Sequence, residues 1–302
     1  MSNLKDIRNR IQSVKNTQKI TRAMKMVAAA KVKKAETSVK SARPFTEELM
    51  AMIEKMLSAI GITDEVGETY KHAINNYPAL LEKREIKTEG LLVITSNKGL
   101  AGAYNANIVR DVLTKIKNNK NNNIETVLYV VGQKGISALQ RKEDANIVKK
   151  YVGVMDNPNS SGANIIAEDI SENYVSGAID KITIITTRFN NMMSYSVQDW
   201  DILPLNIDYN KEEHKSDALM EFVPNEKSIL KKLIPMFITN EVFQALLEAY
   251  ASELASRMTA MSAASNNAEE MINNLTVQYN KERQWAITQE LVEIVSGASA
   301  QK

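Results

Sequence analysis

LKDIRNRIQSVKNTQKITRAMKMVAAAKVKKAETSVKSA, residues 4–42, decides the fold. Positions 4, 7, 11, 14, 18, 21, 25, 28, 32, 35, 39 and 42 advance by alternating threes and fours without a slip. Nine of these twelve are apolar, from Leu4, Ile7, Ile11 and Val14 to Ala28, Val32, Ala35, Val39 and Ala42. Gln18, Thr21 and Lys25 are the exceptions, and they are consecutive. An unbroken 3.5-residue repeat is the mark of a left-handed coiled coil, because only that period keeps one stripe facing a partner helix. Lys25 does not suit such a seam, so the apolar Met24 beside it is expected to take its place. At 1.5 Å per residue, a helix from about residue 3 to 58 is roughly 85 Å long. Pro44 is expected to kink it, since the ring removes a backbone donor and crowds the preceding turn.

A second long helix closes the sequence. Phe243, Leu247, Tyr250, Leu254, Met261, Ala264, Ala268, Met271 and Leu275 share one seam, with Arg257 in the remaining place. Pro224 suits a helix start and Pro235 is expected to begin or bend the main segment, which to Ser296 is roughly 93 Å long. Glycine is absent before Gly61 and between Gly177 and Gly297, as uninterrupted helices require. Charge pairs the two ends. Residues 1–43 carry twelve basic side chains against Asp6 and Glu36, whereas residues 241–302 carry eight acids against four bases. With small residues at Ala28 to Ala30 and Ser262 to Ser265, the helices are expected to pack closely and antiparallel.

Between them the pattern changes. GLLVIT (90–95), TVLYVVG (126–132) and DKITIITT (180–187) read as buried strands, with helices near 104–118, 133–141 and 163–177. Such alternation predicts a parallel α/β sheet. NNKNNN (118–123) reads as a polar loop, and MMSYSVQDW (192–200) as a further strand. The fold class is therefore α/β: a long antiparallel coiled coil of the N- and C-terminal helices plus a Rossmann-like α/β domain. The expected divisions are 1–60 for the first helix, 61–222 for the α/β domain and 223–302 for the last helix.

Chemistry is scarce. There is no cysteine, hence no disulfide, thiolate metal site or Cys nucleophile. The histidines, His72 and His214, have no second ligand at useful spacing and read as solvent-facing. TSNKGLAGAYN (95–105) follows a strand and opens a helix, where backbone donors can hold a phosphate. It lacks both G-x-G-x-x-G and G-x-x-x-x-G-K-[ST], so Gly99 and Gly102 read as permitting a tight connection. The basic first helix attracts phosphates in principle. No aromatic residue precedes Phe45, however, so base stacking is unavailable there. No apolar run approaches the roughly 18 residues of a membrane span. The N-terminus lacks the apolar stretch of a signal peptide and reads as no transit peptide. Catalytic residues, a cofactor site and a metal site are not expected.

Several stretches carry a family resemblance. IRNRIQSVKNTQKITRAMKMVAAAKVKKAE (7–36) and NKERQWAITQELVEIVSGASA (280–300) resemble the opening and closing signatures of the gamma subunits of F-type proton-translocating ATP synthases. ELASRMTAMSAASNNA (253–268) is similar to the block before the closing signature, and SARPF (41–45) and SNKGLAGAYN (96–105) match more weakly. The sequence departs from the family at Trp285, where a small residue is usual. It departs again at Asn97-Lys98, Ala101 and Ala103, where Asp-Arg, Cys and Gly are common. Residues 200–215 match too loosely to transfer contacts with the membrane ring.

The resemblance implies a central rotor shaft that couples proton flow through the c-subunit ring to ATP synthesis or hydrolysis and regulates ATPase activity. It implies a non-catalytic subunit, partnered by the alpha and beta subunits of the head, the epsilon subunit and the c ring. It implies no nucleic acid, no direct membrane insertion, and a peripheral place at the cytoplasmic face of a bacterial inner membrane. By matching positions, Met24 faces the lever segment of a beta subunit. Arg257 and Gln284 contact a beta loop during rotation, and Thr288 and Glu290 affect coupling. The residues alone leave two alternatives. A nucleotide-using enzyme would need an anion site at 95–105, and a basic scaffold would bind nucleic acid through residues 1–58 in a salt-sensitive way.

Overall fold

A computed structural model describes residues 4–59, 80, 84–205 and 226–300. His72, His214 and Pro224 lie outside them. In chain order the elements are α1 (Leu4–Ala59), β1 (Thr88–Ile94), α2 (Tyr104–Asn121), β2 (Glu125–Val131), α3 (Gln133–Leu139), β3 (Asn146–Tyr151), α4 (Ser160–Val175), β4 (Lys181–Asn191), β5 (Ser194–Leu203) and α5 (Glu226–Ala300). They form two compact units, one of Met1–Ala30 with Arg257–Lys302 and one of Lys31–Ser256.

The first unit is a helix pair. On α1, Ile7, Thr21 and Ala28 are buried, and Leu4, Ile11, Val14, Gln18 and Met24 are half-buried, while Lys25 is exposed. The heptad therefore holds, with Met24 in the seam as expected. Lys25 lies outside it and donates from Nζ to Ser262 Oγ at 2.9 Å. A late residue of the α1 segment thus meets an early residue of the α5 segment, which makes the pair antiparallel. On α5 the seam is offset from the sequence reading. Met261 and Ala268 are buried, but Met271 is 46% exposed. The half-buried residues beyond it are Ile272, Leu275, Tyr279, Glu282 and Ala286. Met271 and Ile272 are both apolar and a 3.5-residue period allows either, so the sequence left the choice open; burial falls on Ile272, and the later seam residues follow from it by steps of three and four.

The second unit is a five-stranded sheet in the order β3-β2-β1-β4-β5. β1 lies parallel to β2 and β4, β2 lies parallel to β3, and β5 is antiparallel to β4. Because successive side chains alternate faces, Leu91 and Val93 pack with Ile108 and Val112 of α2 and Leu139 of α3. Leu92 and Ile94 join the opposite core, with Ile166 and Ile170 of α4, Leu49 and Ile53 of α1, and Ile234 and Ile238 of α5. The α1 heptad continues into this core through Thr46, Leu49, Ile53 and Met56, all buried.

Pro44 lies inside α1, and Pro235 lies inside α5, which begins at Glu226. Two details differ from the sequence reading. α2 runs on to Asn121 because Asn119 is buried, donating from Nδ2 to Glu89 Oε2 at 2.6 Å. The turn comes at Asn123, whose φ of 57° asparagine tolerates better than most residues. Finally, β3 had no counterpart in the sequence reading. It is a sheet edge whose Lys149 and Lys150 are exposed, the charged composition that discourages pairing with another chain.

Candidate functional site

Loop 95–103 was the one candidate for a phosphate cradle, and both of its ends are bonded within the chain: Thr95 N–H donates to the Val131 carbonyl at 2.9 Å, Ser96 N–H to Asn105 Oδ1 at 3.0 Å and Tyr104 N–H to the Ala101 carbonyl at 3.1 Å. The loop also supplies acceptors to the start of α3: Gln133 N–H donates to Asn97 Oδ1 at 3.2 Å, Lys134 N–H to the Ser96 carbonyl at 3.0 Å and Gly135 N–H to Thr95 Oγ1 at 2.9 Å. It therefore caps a helix with acceptor groups, the opposite of what an anion needs. The crevice beside β1 is also filled, since Tyr104 Oη donates to the Ala249 carbonyl at 3.1 Å and Ser256 Oγ to the Ala101 carbonyl at 2.7 Å. α5 thus lies where open α/β sheets ordinarily take a ligand, at the point where strand order reverses between β1 and β4. Gly102 adopts a φ of 55°, as a tight strand-to-helix connection requires, whereas a Cβ added at Gly99 would meet the Lys134 side chain at 3.5 Å, an ordinary contact.

Asn97 bears the mark of its departure from Asp. Its Oδ1 caps α3, but its Nδ2 is buried without a partner. A carboxylate would put an acceptor in that place and set negative charge at a helix start. Asn97→Asp is expected to raise unfolding stability by about 0.5–1 kcal/mol, measured by chemical denaturation.

The five positions singled out by resemblance all fall in the helix-pair unit. Met24 and Arg257 are half-buried, and Gln284, Thr288 and Glu290 are exposed. Thr288 Oγ1 donates to the Gln284 carbonyl at 2.9 Å, one turn back along the same face. The five do not converge on one point: Arg257 and Gln284 alone are separated by roughly 40 Å of helix. They are strung out along the two helices, with Trp285, 53% exposed, among them.

Two features were missed by the sequence reading. Beyond Ala286, every described side chain of α5 is exposed. Ile287, Leu291, Ile294 and Val295 form an apolar stripe at helical spacing, exposed by 49–67%. With Lys25 set against Ser262, an antiparallel register brings α1 to its first described residue near position 283 of α5, so no described residue of α1 covers the remainder of that helix. Counting both seams from that pairing would have exposed the mismatch in length.

The other feature ties α1 to the sheet. Glu248 of α5 has no solvent exposure and accepts from Arg43 Nε at 2.7 Å and Arg43 Nη2 at 2.9 Å. It also accepts from the Phe189 N–H at 2.7 Å, and Arg188 Nη1 lies 3.6 Å away. Arg43 Nη2 donates as well to the Phe189 carbonyl at 2.8 Å. The hydrogen bond to Glu248 holds the Arg43 guanidinium above its already high pKa, against the opposing effect of burial. Arg43 lies within SARPF, the only signal that could have drawn attention to it.

Near this cluster a cleft of about 340 Å³ opens between Met50 of α1, Trp200 and Ile202 of β5, and Phe237 and Glu241 of α5. Burial pushes the Glu241 carboxyl up to about 7 from an ordinary 4.5, with Arg188 opposing. The folded chain therefore binds this proton more tightly than the unfolded chain. The associated stability is full below about pH 4.5 and is lost as pH rises through about 7. Glu241→Gln is expected to stabilise the chain at pH 8 by about 1–2 kcal/mol, residual solvent contact limiting the effect, and to change little at pH 5. Thermal unfolding at both pH values checks it.

A family model described as ATP synthase matches residues 3–301. The ATP synthase gamma chain of Picosynechococcus sp. is 39% identical over 99% of this chain and 100% of its own length. That of Halothermothrix orenii is 39% identical over 100% of both. Among solved structures, the central stalk and c-ring of Tetrahymena thermophila mitochondrial ATP synthase contains a chain 30% identical, with a TM-score of 0.56, covering 82% of this chain and 99% of that one. A chain of the Euglena gracilis mitochondrial ATP synthase has the same fold, with a TM-score of 0.67 at 20% identity over 99% of this chain and 94% of that one.

Proposed function

The chain belongs to the ATP synthase gamma chain family, and from that premise we infer that it is the central rotor shaft of an F-type ATP synthase. It couples proton flow through a ring of c subunits to ATP synthesis or hydrolysis in a head of alpha and beta subunits, and it regulates ATPase activity. It is itself non-catalytic, and it binds the epsilon subunit as well as the ring. Residues 1–60 and 223–302 serve as the shaft, and residues 61–222 as the foot. The complex stands at the cytoplasmic face of a bacterial inner membrane. The chain is peripheral to that membrane, and among its described residues no helix is long and apolar enough to cross it.

The observation that carries this reading is full-length kinship with gamma chains, joined to a helix pair that has unspent surface. The apolar stripe from Ile287 to Val295 has no partner in the described chain, and a surrounding collar of head subunits would cover it. Lys15, Lys19, Lys31, Lys33 and Lys34 are exposed, as contact with an acidic lever requires. Ion pairs between exposed charges are worth only about 0–1 kcal/mol each, so they break and re-form as the shaft turns.

On this reading Met24 faces the beta lever, Arg257 and Gln284 touch a beta loop, and Thr288 and Glu290 tune coupling. Met24→Lys adds a cation at the lever while leaving the rest of the seam intact. Proton pumping per ATP hydrolysed is expected to fall several-fold, with assembly little changed. Unaltered pumping would remove Met24 from the contact set. The function itself is tested by reconstitution: the isolated chain shows no ATPase activity, and mixing it with alpha and beta subunits gives a stoichiometric, ATP-hydrolysing complex. Failure to co-purify with them would contradict the assignment.

A further inference from the structure

We propose that Arg43, Glu248 and Arg188 form a rotational lock, holding the stretches of α1 and α5 within Lys31–Ser256 at a fixed angle on β4 and marking the point where torque passes between sheet and helices. The inference rests on the rotor reading and adds to it the residues that make the join stiff.

The cluster sits between two apolar cores. On one side Leu49, Ile53, Ile234 and Ile238 pack the helices onto the sheet; on the other, Val32, Ala35, Val39, Leu247 and Ala251 pack the helices on each other, with Phe189 of β4 among them. Apolar contact is non-directional, so greasy faces resist separation better than they resist rolling. A bidentate guanidinium–carboxylate pair is directional, because two parallel bonds fix both distance and angle. Here Arg43 supplies that fork to Glu248 at 2.7 and 2.9 Å. The carboxylate is joined to β4 by the Phe189 N–H at 2.7 Å, and the fork by the Phe189 carbonyl at 2.8 Å. α1, α5 and β4 are thereby tied at one place, and none can turn without breaking a charged bond shielded from water.

Arg188 completes the arrangement. Its Nη1 lies 3.6 Å from Glu248, and its guanidinium stands 5.8 Å over the Trp200 ring, which brings β5 into the same network. Other ties from α5 to this layer, Thr186 Oγ1 to the Ala245 carbonyl and Tyr104 Oη to the Ala249 carbonyl, are single neutral bonds that resist twist less well.

The test uses the full chain assembled with alpha and beta subunits, the head fixed to a surface. A probe is attached through Met193→Cys, a residue 83% exposed at the β4–β5 turn. Torsional stiffness is read from the angular fluctuation of the probe while catalysis is paused. Arg43→Lys keeps the charge beside Glu248 but loses the fork, and stiffness is expected to fall by about half with hydrolysis and assembly unchanged. Should Arg43→Lys fail to assemble, the Arg43→Met/Glu248→Leu pair, which removes both charges together, is measured instead with the same expectation. Unchanged stiffness in an assembly that still rotates overturns the lock and leaves the rotor reading standing. An unsubstituted assembly that hydrolyses ATP without turning overturns both.

Discussion

Replacing Glu248 with alanine is expected to lower the unfolding free energy by about 3–5 kcal/mol, the cost of leaving two partly shielded guanidinium groups without their counter-ion. The carboxylate is fully shielded and holds two guanidinium groups and a backbone N–H together. Its loss leaves Arg43 facing Arg188, deprives the Phe189 N–H of its acceptor and opens a void between α1 and α5. Arg43 is about a quarter exposed and can swing toward solvent, which places the effect at the lower end of the range. The Arg43→Met/Glu248→Leu pair should be markedly less destabilising than Glu248→Ala, because removing both charges leaves neither uncompensated. Urea titration of the three chains checks this. A loss under about 1 kcal/mol for Glu248→Ala would mean that the cluster is solvated and holds nothing.

The second large effect is expected at Gly132, the hinge between β2 and α3. Its φ is +94°, and a Cβ there would stand 2.1 Å from the Thr95 carbonyl oxygen and 2.6 Å from the carbonyl carbon. Neither neighbour is the movable end of a side chain. Both backbone strain and overpacking therefore act on Gly132→Ala, each worth about 1–3 kcal/mol, for a total near 4 kcal/mol. Moving Thr95 would also break the bonds by which residues 95–97 cap α3. Denaturant unfolding should show the loss, accompanied by faster amide exchange at Gln133, Lys134 and Gly135. Gly153→Ala is the control: its φ is +88°, but a Cβ would meet nothing within 4 Å. If the two variants lose the same stability, the close approach to Thr95 contributes nothing.

How much of this was written legibly in the residues depends on sequence distance. The α1 seam was readable residue by residue, down to Met24 standing in for Lys25, because the signal repeats every few positions along one helix. The buried strands β1, β2 and β4 were readable because both faces are apolar, and β5 was read from the stretch MMSYSVQDW at 192–200. β3 was not, since an edge strand carries charge where an interior one carries Val or Ile. The α5 seam slipped at Met271 because two adjacent apolar residues gave the period two choices. Asn119 looked like loop composition until its bonds to Glu89 and Thr126 placed it inside a helix. The lock between Arg43 and Glu248 spans 205 residues, and no local pattern announces such a pair. The positions proposed to affect coupling were accessible through resemblance alone. Gln284, Thr288 and Glu290 face solvent in the isolated chain, and their contacts would be made with other subunits.

Rotation tests the central claim most directly. The chain contains no cysteine, so a probe placed through Met193→Cys reports on a single site. With the alpha and beta head held to a surface and ATP supplied, the probe is expected to turn continuously in one direction, stopping when ATP is exhausted. A probe that stays fixed while the same complex hydrolyses ATP would contradict the account.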